Sequence, residues 1–381
     1  MSLANATTPI DARAAATAPA RAWSRHRPEL LLASASVLFV VLALGAVELA
    51  LRLANQQPPD GAIGPLHTYS EVYGWEPRKG LREVSGGKAT TLNASGYRGP
   101  ELGRAKDRRR VIVLGDSIAF GLEVGDDETF EQVLASRRPD LEVANLAVQG
   151  YDPGQELIKL EREALPLQPD VIVLGLCLGN DFADAALPVF LYDGHHPKPY
   201  FTVEDGQLIR HDEQLRLSTR GRVSLFLADH SRLYSLITSR PPTPGDEVEH
   251  WTIRKRRALR DRAGVVDLTA RLIARMADAC RGRGVAFLVA AFPDAPAYRQ
   301  SSRWLRDLQA SPRLEGIAVV DMAEEFRSRH LAFQSIALDG IGHLSPYGHR
   351  IAAEILNGAL VERGMIAARS QPATGAGSAG S

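Results

Sequence analysis

Cysteine is scarce in this sequence. Two residues, Cys177 and Cys280, occur among 381. Such a count excludes a disulfide framework and a cysteine-based zinc site, although a single disulfide between the two stays open. Cys177 stands in an apolar run, where a thiol acts as buried volume. The cysteine count therefore predicts neither a disulfide-based fold nor a cysteine-ligated metal.

An excess of charge of one sign is also lacking. The chain has 45 Lys and Arg against 45 Asp and Glu, so no overall field attracts nucleic acid. There is no internal repeat, and Gly115-Asp116-Ser117 is not the Gly-Lys-Ser/Thr of a phosphate-binding loop. These absences argue against nucleic-acid binding and against P-loop nucleotide binding. They leave room for one large domain, with or without an insertion.

A long apolar run is present near the start. Residues 30–47 carry no charge, and the segment 29–53 is long enough to cross a bilayer as a helix. Residues 1–28 contain four arginines and predict a disordered N-terminus. By the positive-inside rule, these arginines keep the N-terminus in the cytoplasm, so the chain after the helix is exported. A cleaved signal peptide is the alternative, but its apolar core spans only about 7–15 residues. A buried core helix is the second alternative, but the run shows no polar face. The pattern favours a retained single-pass anchor.

Composition divides the remaining chain. Residues 54–109 predict a linker and then an extension, rich in aromatic residues and glycine, that packs on the main domain. Residues 110–363 predict the main domain, with an insertion at about 184–257. Residues 364–381 consist mostly of small residues and predict a disordered tail.

The insertion predicts structure of its own, because a structureless loop of this length is unusual in a compact domain. Phe201 to Leu208 predicts a hairpin that turns at Asp205-Gly206, and Val223 to Thr238 predicts a helix. Because the insertion follows a candidate site loop, a lid or substrate-binding cap is one interpretation. A surface subdomain without a catalytic part is the other.

The main domain alternates between two periodicities. Apolar runs predict strands at 111–114, 142–146, 171–176, 285–291 and 317–321. Amphipathic spacing predicts helices at 128–137, 154–165, 265–283 and 346–363. Strands that are apolar almost throughout belong to parallel sheets with both faces covered, so the sequence predicts an α/β fold with a central parallel sheet.

A serine stands at the carboxyl end of the first of these strands. Ser117 follows Gly115-Asp116, and in open α/β sheets reacting groups collect at this edge. A serine hydroxyl needs a base to act as a nucleophile, and acyl transfer also needs hydrogen-bond donors for the developing oxyanion.

Three later loops offer these groups. Gly150 ends the loop that follows the second strand, and it permits a close approach of its N–H to the site. Asn180, after the third strand, carries an uncharged amide donor. His343 lies near Asp339 in a glycine-rich loop just before the last helix. His349 falls in the first turn of that helix.

Four motifs in this order resemble the SGNH, or GDSL, hydrolase superfamily. Gly115-Asp116-Ser117 resembles its nucleophile block, and Asn145 to Gly150 resembles its second block. Gly179-Asn180-Asp181 and His343 resemble the third and fourth. The resemblance implies a flavodoxin-like three-layer sandwich, with the oxyanion hole formed by Ser117, Gly150 and Asn180. Together with the N-terminal anchor, the Asn93–Arg98 stretch resembles a membrane-anchored bacterial branch linked to envelope or exopolysaccharide acylation.

The acid departs from the family pattern. Asp339 stands four residues before His343, where the family usually has three. Gly340 and Gly342 offer a way to absorb the extra residue. The other interpretations are Asp321 as the acid, or a dyad of Ser117 and His343 in which a backbone carbonyl takes the place of the acid.

The resemblance implies a serine esterase that acts on a small-molecule or carbohydrate ester through an acyl-serine. This mechanism requires neither a metal nor an organic cofactor. Two alternatives stay open. One is an O-acyltransferase that acetylates an exported polysaccharide, and the other is a catalytically silent carbohydrate-binding envelope protein. The acyl group, the acceptor and the oligomeric state are not determined by the sequence.

Overall fold

The computed structural model describes residues 27–54, 66–85, 88–103, 106–192, 194, 196–238, 246–300 and 302–368. The predictions for residues 1–26, for most of the linker and for residues 369–381 lie outside this range. The strands are β1 (His67–Ser70), β2 (Gly74–Pro77), β3 (Arg82–Ser85), β4 (Lys88–Thr91), β5 (Arg109–Gly115), β6 (Leu141–Asn145), β7 (Val171–Cys177), β8 (Tyr200–Glu204), β9 (Gln207–His211), β10 (Ala286–Phe292) and β11 (Ala318–Asp321). The helices are α1 (Arg27–Leu53), α2 (Ser117–Phe120), α3 (Phe130–Arg137), α4 (Pro153–Lys159), α5 (Asp181–Ala185), α6 (Thr219–His230), α7 (Arg232–Thr238), α8 (Asp246–Ala258), α9 (Arg262–Arg281), α10 (Ala295–Gln300), α11 (Arg303–Gln309), α12 (Met322–Ser328), α13 (Phe333–Ile336) and α14 (Pro346–Glu362).

Five parallel strands form the central sheet, in the order β6-β5-β7-β10-β11. The first strand along the chain thus lies between the second and the third, which is the flavodoxin-like order. β7 is buried along its whole length, and β5 is buried beyond its first residue, as strands covered on both faces must be. The switch point of this topology lies between β5 and β7, where ligands bind in such folds.

Helices cover both faces of the sheet. On β5, Ile112 and Leu114 pack in one apolar cluster with residues of α4 and α9, whereas Val111 and Val113 pack in a second cluster with residues of α3 and α14. Alternate side chains of a strand point to opposite faces, so two clusters follow from one strand. The predicted three-layer α/β sandwich is confirmed.

The extension before the main domain contains two antiparallel hairpins, β1–β2 and β3–β4. Trp75 is almost wholly buried, and its indole donates to the Gln149 carbonyl at 3.0 Å. The Tyr151 hydroxyl donates to the Trp75 carbonyl at 2.7 Å. The first hairpin therefore packs against the loop that carries Gly150.

The insertion has more helix than its sequence indicated. The β8–β9 hairpin turns at Asp205-Gly206 as expected. The single helix predicted over 223–238 is instead two helices, α6 and α7, because Ser231 adopts an extended backbone and its hydroxyl caps α7 by accepting from the Tyr234 N–H. α8 was not predicted, since its sequence is too charged to show an apolar period.

Both ends of the chain depart from their predicted boundaries. The N-terminal helix begins at Arg27, two residues before the predicted span. At the other end, Ile366 is buried, and Arg138 donates to the Ala367 carbonyl at 2.8 Å. Residues 364–367 therefore pack on the domain and do not belong to a tail.

α1 is the described helix that is long and apolar enough to cross a membrane. Within Leu30–Leu53, an 18-residue window has a mean hydropathy of 2.6, and none of that window is buried inside the protein. By length and composition it fits either a membrane anchor or a signal sequence.

Candidate active site

A strained turn presents Ser117 at the end of β5. Gly115 has φ +152°, and a Cβ there would lie 2.6 Å from the Ala119 Cβ and 2.9 Å from the Gly175 carbonyl oxygen. Asp116 then caps α2, its Oδ1 accepting from the Ile118 N–H at 2.9 Å. Ser117 is thus the first residue of a helix, at the switch point of the sheet.

Two polar side chains hold the short helix α2 in place. Arg98 is buried and donates to the carbonyls of Phe120 at 2.7 Å and Val124 at 2.6 Å. Asn145 donates to the Ala119 carbonyl at 2.9 Å. Neither role was predicted, although both residues lie in the motifs singled out from the sequence. A lone arginine after a turn carries no signal that it is buried.

The histidine loop brings its imidazole to the serine. His343 Nε2 lies 2.9 Å from Ser117 Oγ, and His343 Nδ1 lies 2.6 Å from Asp339 Oδ2. The other oxygen of Asp339 accepts from three successive backbone N–H groups, those of Ile341, Gly342 and His343, at 2.9 to 3.2 Å. The three residues proposed from sequence as nucleophile, base and acid therefore form one connected array.

The Asp339 carboxylate selects which nitrogen of a neutral His343 ring carries the proton. Burial would raise the pKa of Asp339, but the neighbouring His343 and the backbone donors outweigh it, so the pKa lies below its usual range. An ionised carboxylate only accepts hydrogen bonds. Nδ1 must then carry the ring proton, which leaves Nε2 of a neutral His343 to accept from the Ser117 hydroxyl.

A single glycine absorbs the extra residue between the acid and the base. Gly342 has φ +109°, and a Cβ there would lie 2.4 Å from the Pro293 carbonyl oxygen. Gly340, by contrast, has open space around its Cβ position. Asp321, the alternative acid, caps α12 by accepting from the Ala323 N–H at 2.9 Å. The geometry favours Asp339 over Asp321 as the partner of His343.

The loops expected to supply oxyanion donors converge on the same edge. The N–H of Val148, two residues before Gly150, donates to the Gly115 carbonyl at 2.9 Å. Gly150 has φ +77°, and a Cβ there would lie 2.7 Å from the ring of Phe190. Within the described residues, neither the Ser117 N–H nor the Gly150 N–H donates to a protein acceptor.

Asn180 lies beside two buried carboxyl groups. Its Nδ2 is 3.4 Å from Asp116 Oδ2 and 3.5 Å from Asp184 Oδ2, both at the long end of hydrogen bonding. Burial raises the pKa of Asp116, and it raises that of Asp184 to about 7. A pKa of about 7 leaves Asp184 partly protonated at neutral pH, which limits the negative charge that this group places next to a developing oxyanion.

One buried cluster has atoms of metal-ligand type. Asp116, Cys177 and Asp181 place ligand atoms within 4.8 Å of one another. Burial raises the pKa of Asp116 and raises those of Cys177 and Asp181 well above their usual ranges. Metals bind the deprotonated forms of such groups, so a cation here would have to displace these protons. Asp181 also braces its loop by accepting from the Cys177 N–H at 2.7 Å.

The family model of the GDSL-like lipase/acylhydrolase family matches residues 113–351, more than half of the chain. The chain belongs to this family of hydrolases. The match includes Ser117, Gly150, Asn180 and the loop from Asp339 to His343.

Several solved structures are similar to this chain. A lipolytic G-D-S-L family protein from Veillonella parvula is 11% identical, with 67% of this chain and 97% of that one covered and a TM-score of 0.38. A lipase/acylhydrolase from Enterococcus faecalis is 12% identical, covering 67% and 96%, with a TM-score of 0.37. A variant acetyl-xylooligosaccharide esterase from Geobacillus is 12% identical, covering 69% and 97%, with a TM-score of 0.40. No curated protein sequence matches the chain.

Proposed function

We propose that this protein is a serine esterase that forms an acyl-enzyme on Ser117. The observation that carries the proposal is the contact of 2.9 Å between His343 Nε2 and Ser117 Oγ, with Asp339 on the other ring nitrogen. A base within hydrogen-bond reach of a hydroxyl, itself oriented by a third group, is the arrangement that activates a serine. This arrangement also favours an enzyme over a catalytically silent binding protein.

In the acylation step, Ser117 Oγ attacks the carbonyl carbon of the ester, and its proton moves to His343 Nε2. The carbonyl π electrons move onto the oxygen and form a tetrahedral oxyanion. When the intermediate collapses, the bond to the alcohol oxygen breaks, and the alcohol leaves with the proton from Nε2. Asp339 keeps the ring oriented and stabilises the imidazolium in between.

In the deacylation step, water takes the place of the alcohol. His343 accepts a proton from the water while the water oxygen attacks the carbonyl carbon of the acyl-serine. The proton then passes from His343 to Ser117 Oγ as the bond to Oγ breaks and the acid is released. We assign the N–H groups of Ser117 and Gly150 and the Asn180 amide to the oxyanion in both steps. Each such donor contributes a factor of about 10²–10³ in rate.

For the location, we propose that α1 is retained as a single-pass anchor and that the catalytic domain is extracytoplasmic. The uncharged run of residues 30–47 and the four arginines before it support this orientation. An exported, tethered esterase meets esters of the cell envelope, so acetylated envelope carbohydrate is the substrate class we propose. A polysaccharide hydroxyl in place of water would make the same acyl-enzyme a transferase.

The experiment uses purified full-length protein in detergent and a chromogenic acetate ester. Wild type is expected to release the chromophore, and Ser117→Ala to lose about 10⁴–10⁶-fold in kcat. Ser136→Ala, on the exposed surface of α3, is the matched control and is expected to retain full activity. Unchanged hydrolysis by Ser117→Ala would refute the proposal. Acetyl transfer to an added glycan, measured in the same reaction, separates hydrolase from transferase.

A further inference from the structure

The end of α1 is joined to the insertion by a carboxylate. Glu48 accepts from the N–H of Arg232 and the N–H of Leu233, each at 3.0 Å, and from the Ser231 hydroxyl at 3.0 Å. These donors form the N-terminus of α7, which is thereby fixed to α1. Positive N-terminal donors and a carboxylate are a favourable pair.

The position of Glu48 along α1 indicates where the contact between α1 and α7 would lie relative to a bilayer. It follows directly on the uncharged residues 30–47, which span about 27 Å as a helix. The hydrocarbon core of a bilayer is about 30 Å thick. If α1 is the anchor proposed above, on which this inference rests, Glu48 lies at the boundary of the bilayer, and so does the start of α7.

The two helices at this level expose apolar side chains. α6 and α7 fold against each other, with the hydroxyls of Ser224 and Tyr234 2.6 Å apart. Phe226 is 59% exposed and Ile237 is 74% exposed. Among the described residues outside α1, nine large apolar side chains are exposed, and five of them lie in this pair of helices. The five are Val223, Phe226, Leu227, Leu236 and Ile237.

The surrounding sequence is basic, although the whole chain is neutral. Residues 216–260 contain ten Arg or Lys residues against four Asp or Glu. Arg220 and Arg222 lie in the first turn of α6, close to the exposed Val223. Exposed Phe and Leu side chains combined with arginines are typical of helices that lie in the interfacial layer of a membrane.

We propose that α6 and α7 form a second membrane contact, which lies in the interfacial layer of the same bilayer that α1 crosses. The partner is the lipid surface: the exposed apolar side chains enter the acyl-chain boundary, and the arginines remain among anionic headgroups. Two points of attachment fix the orientation of the catalytic domain relative to the bilayer, whereas a single transmembrane helix does not fix it.

The test uses full-length protein in phosphatidylcholine vesicles that contain phosphatidylglycerol and brominated acyl chains. An environment-sensitive fluorophore is attached to Ile237→Cys; Cys177 and Cys280 are buried and stay unlabelled in the folded protein. Ser136→Cys on α3 is the matched exposed control, and Val40→Cys reports on α1 itself. We expect blue-shifted, strongly quenched emission at positions 237 and 40, and neither effect at 136.

The outcomes separate the contact from the anchor and from the activity. If the probe at 237 behaves like the one at 136 while the probe at 40 is quenched, α1 is an anchor and the second contact does not exist. If the probe at 40 is also unquenched, the anchor proposal fails and the contact fails with it. Ester hydrolysis in the same vesicles tests the enzyme separately. Glu48→Ala, which removes the junction, is expected to reduce quenching at 237 and not at 40; equal quenching at 237 would contradict the role of Glu48.

Discussion

His343 Nε2 lies 2.9 Å from Ser117 Oγ, although 226 positions of sequence separate the two residues. The fold brings the two residues together because β5 lies next to the switch point of a parallel sheet, and the loop before α14 returns to the same edge of that sheet. That loop is fixed by the N–H of Leu338, which donates to the His343 carbonyl at 2.7 Å, and by the Ser345 N–H, which donates to the Ile336 carbonyl at 2.8 Å. Each residue of the pair is positioned by its own backbone turn.

Replacing the acid tests whether the array acts as a triad. Asp339→Asn is expected to reduce kcat by about 10²–10⁴-fold, because an amide no longer favours the tautomer with the proton on Nδ1. Asp321→Asn is the control. Asparagine caps a helix as well as aspartate does, so this variant is expected to keep the cap of α12, with stability and activity per folded molecule unchanged. Steady-state kinetics and thermal melts of both variants measure these effects. A loss of kcat in Asp321→Asn but not in Asp339→Asn would assign the acid to Asp321.

The glycines of the histidine loop give a second comparison. Gly342→Ala is expected to displace His343 and lower kcat strongly, since its Cβ would collide with the Pro293 carbonyl and its φ is positive. Gly340→Ala meets no atom within 4 Å, so it is expected to behave like wild type. The kcat values of the two variants test this difference. Equal activity of the two variants would mean that the backbone of Gly342 does not position the base.

The oxyanion assignment of Asn180 predicts a loss in kcat with little change in KM. Asn180→Ala is expected to reduce kcat by about 10²–10³-fold, because the amide acts on charge that develops only in the transition state. Asn357→Ala is the matched control. It removes the acceptor of a hydrogen bond from Arg138, at 2.8 Å, outside the site, and is expected to leave kcat unchanged. A change confined to KM would show that Asn180 serves substrate binding instead.

Glu131 predicts a pH dependence of stability that is unconnected with catalysis. It is fully buried on α3, and burial raises the pKa of its carboxyl from 4.5 to about 8. Between these values the folded protein holds a proton that the unfolded chain releases, so the free energy of unfolding falls as pH rises from 4.5 to 8. Glu131→Gln cannot ionise. Its Tm is therefore expected to exceed that of wild type increasingly toward pH 8 and to converge with it near pH 4.5. A difference in Tm that is independent of pH would contradict a raised pKa at this position.

The sequence predicted the sheet and the site loops because both depend on local patterns. Continuous apolar strands and motifs at strand ends carry their own signal, and Ser117, Asn180 and His343 were found in this way. The acid was less well determined, since the spacing between Asp339 and His343 has meaning only once the positive φ of Gly342 is known. Arg98 gave no signal, because its burial depends on carbonyls more than twenty residues away.

The insertion was predicted least well, for a related reason. Here α6 ends and α7 begins at Ser231, and this break depends on a cap that includes Glu48 from the distant α1. More than half of the residues of α8 are charged, and its few apolar residues did not suffice to predict a helix. Its Arg254 nevertheless donates to the carbonyls of Leu191 and Tyr192, so tertiary contacts stabilise it where periodicity does not.

Covalent capture of Ser117 tests the central claim most directly. Full-length protein is treated with a fluorophosphonate, digested and mapped by mass spectrometry, with His343→Ala treated in parallel. We expect a single adduct on Ser117 in the wild type, and a much slower reaction in the variant, because the hydroxyl then has no base. An adduct on another residue, or an unmodified Ser117 in the active wild type, would contradict an acyl-serine mechanism.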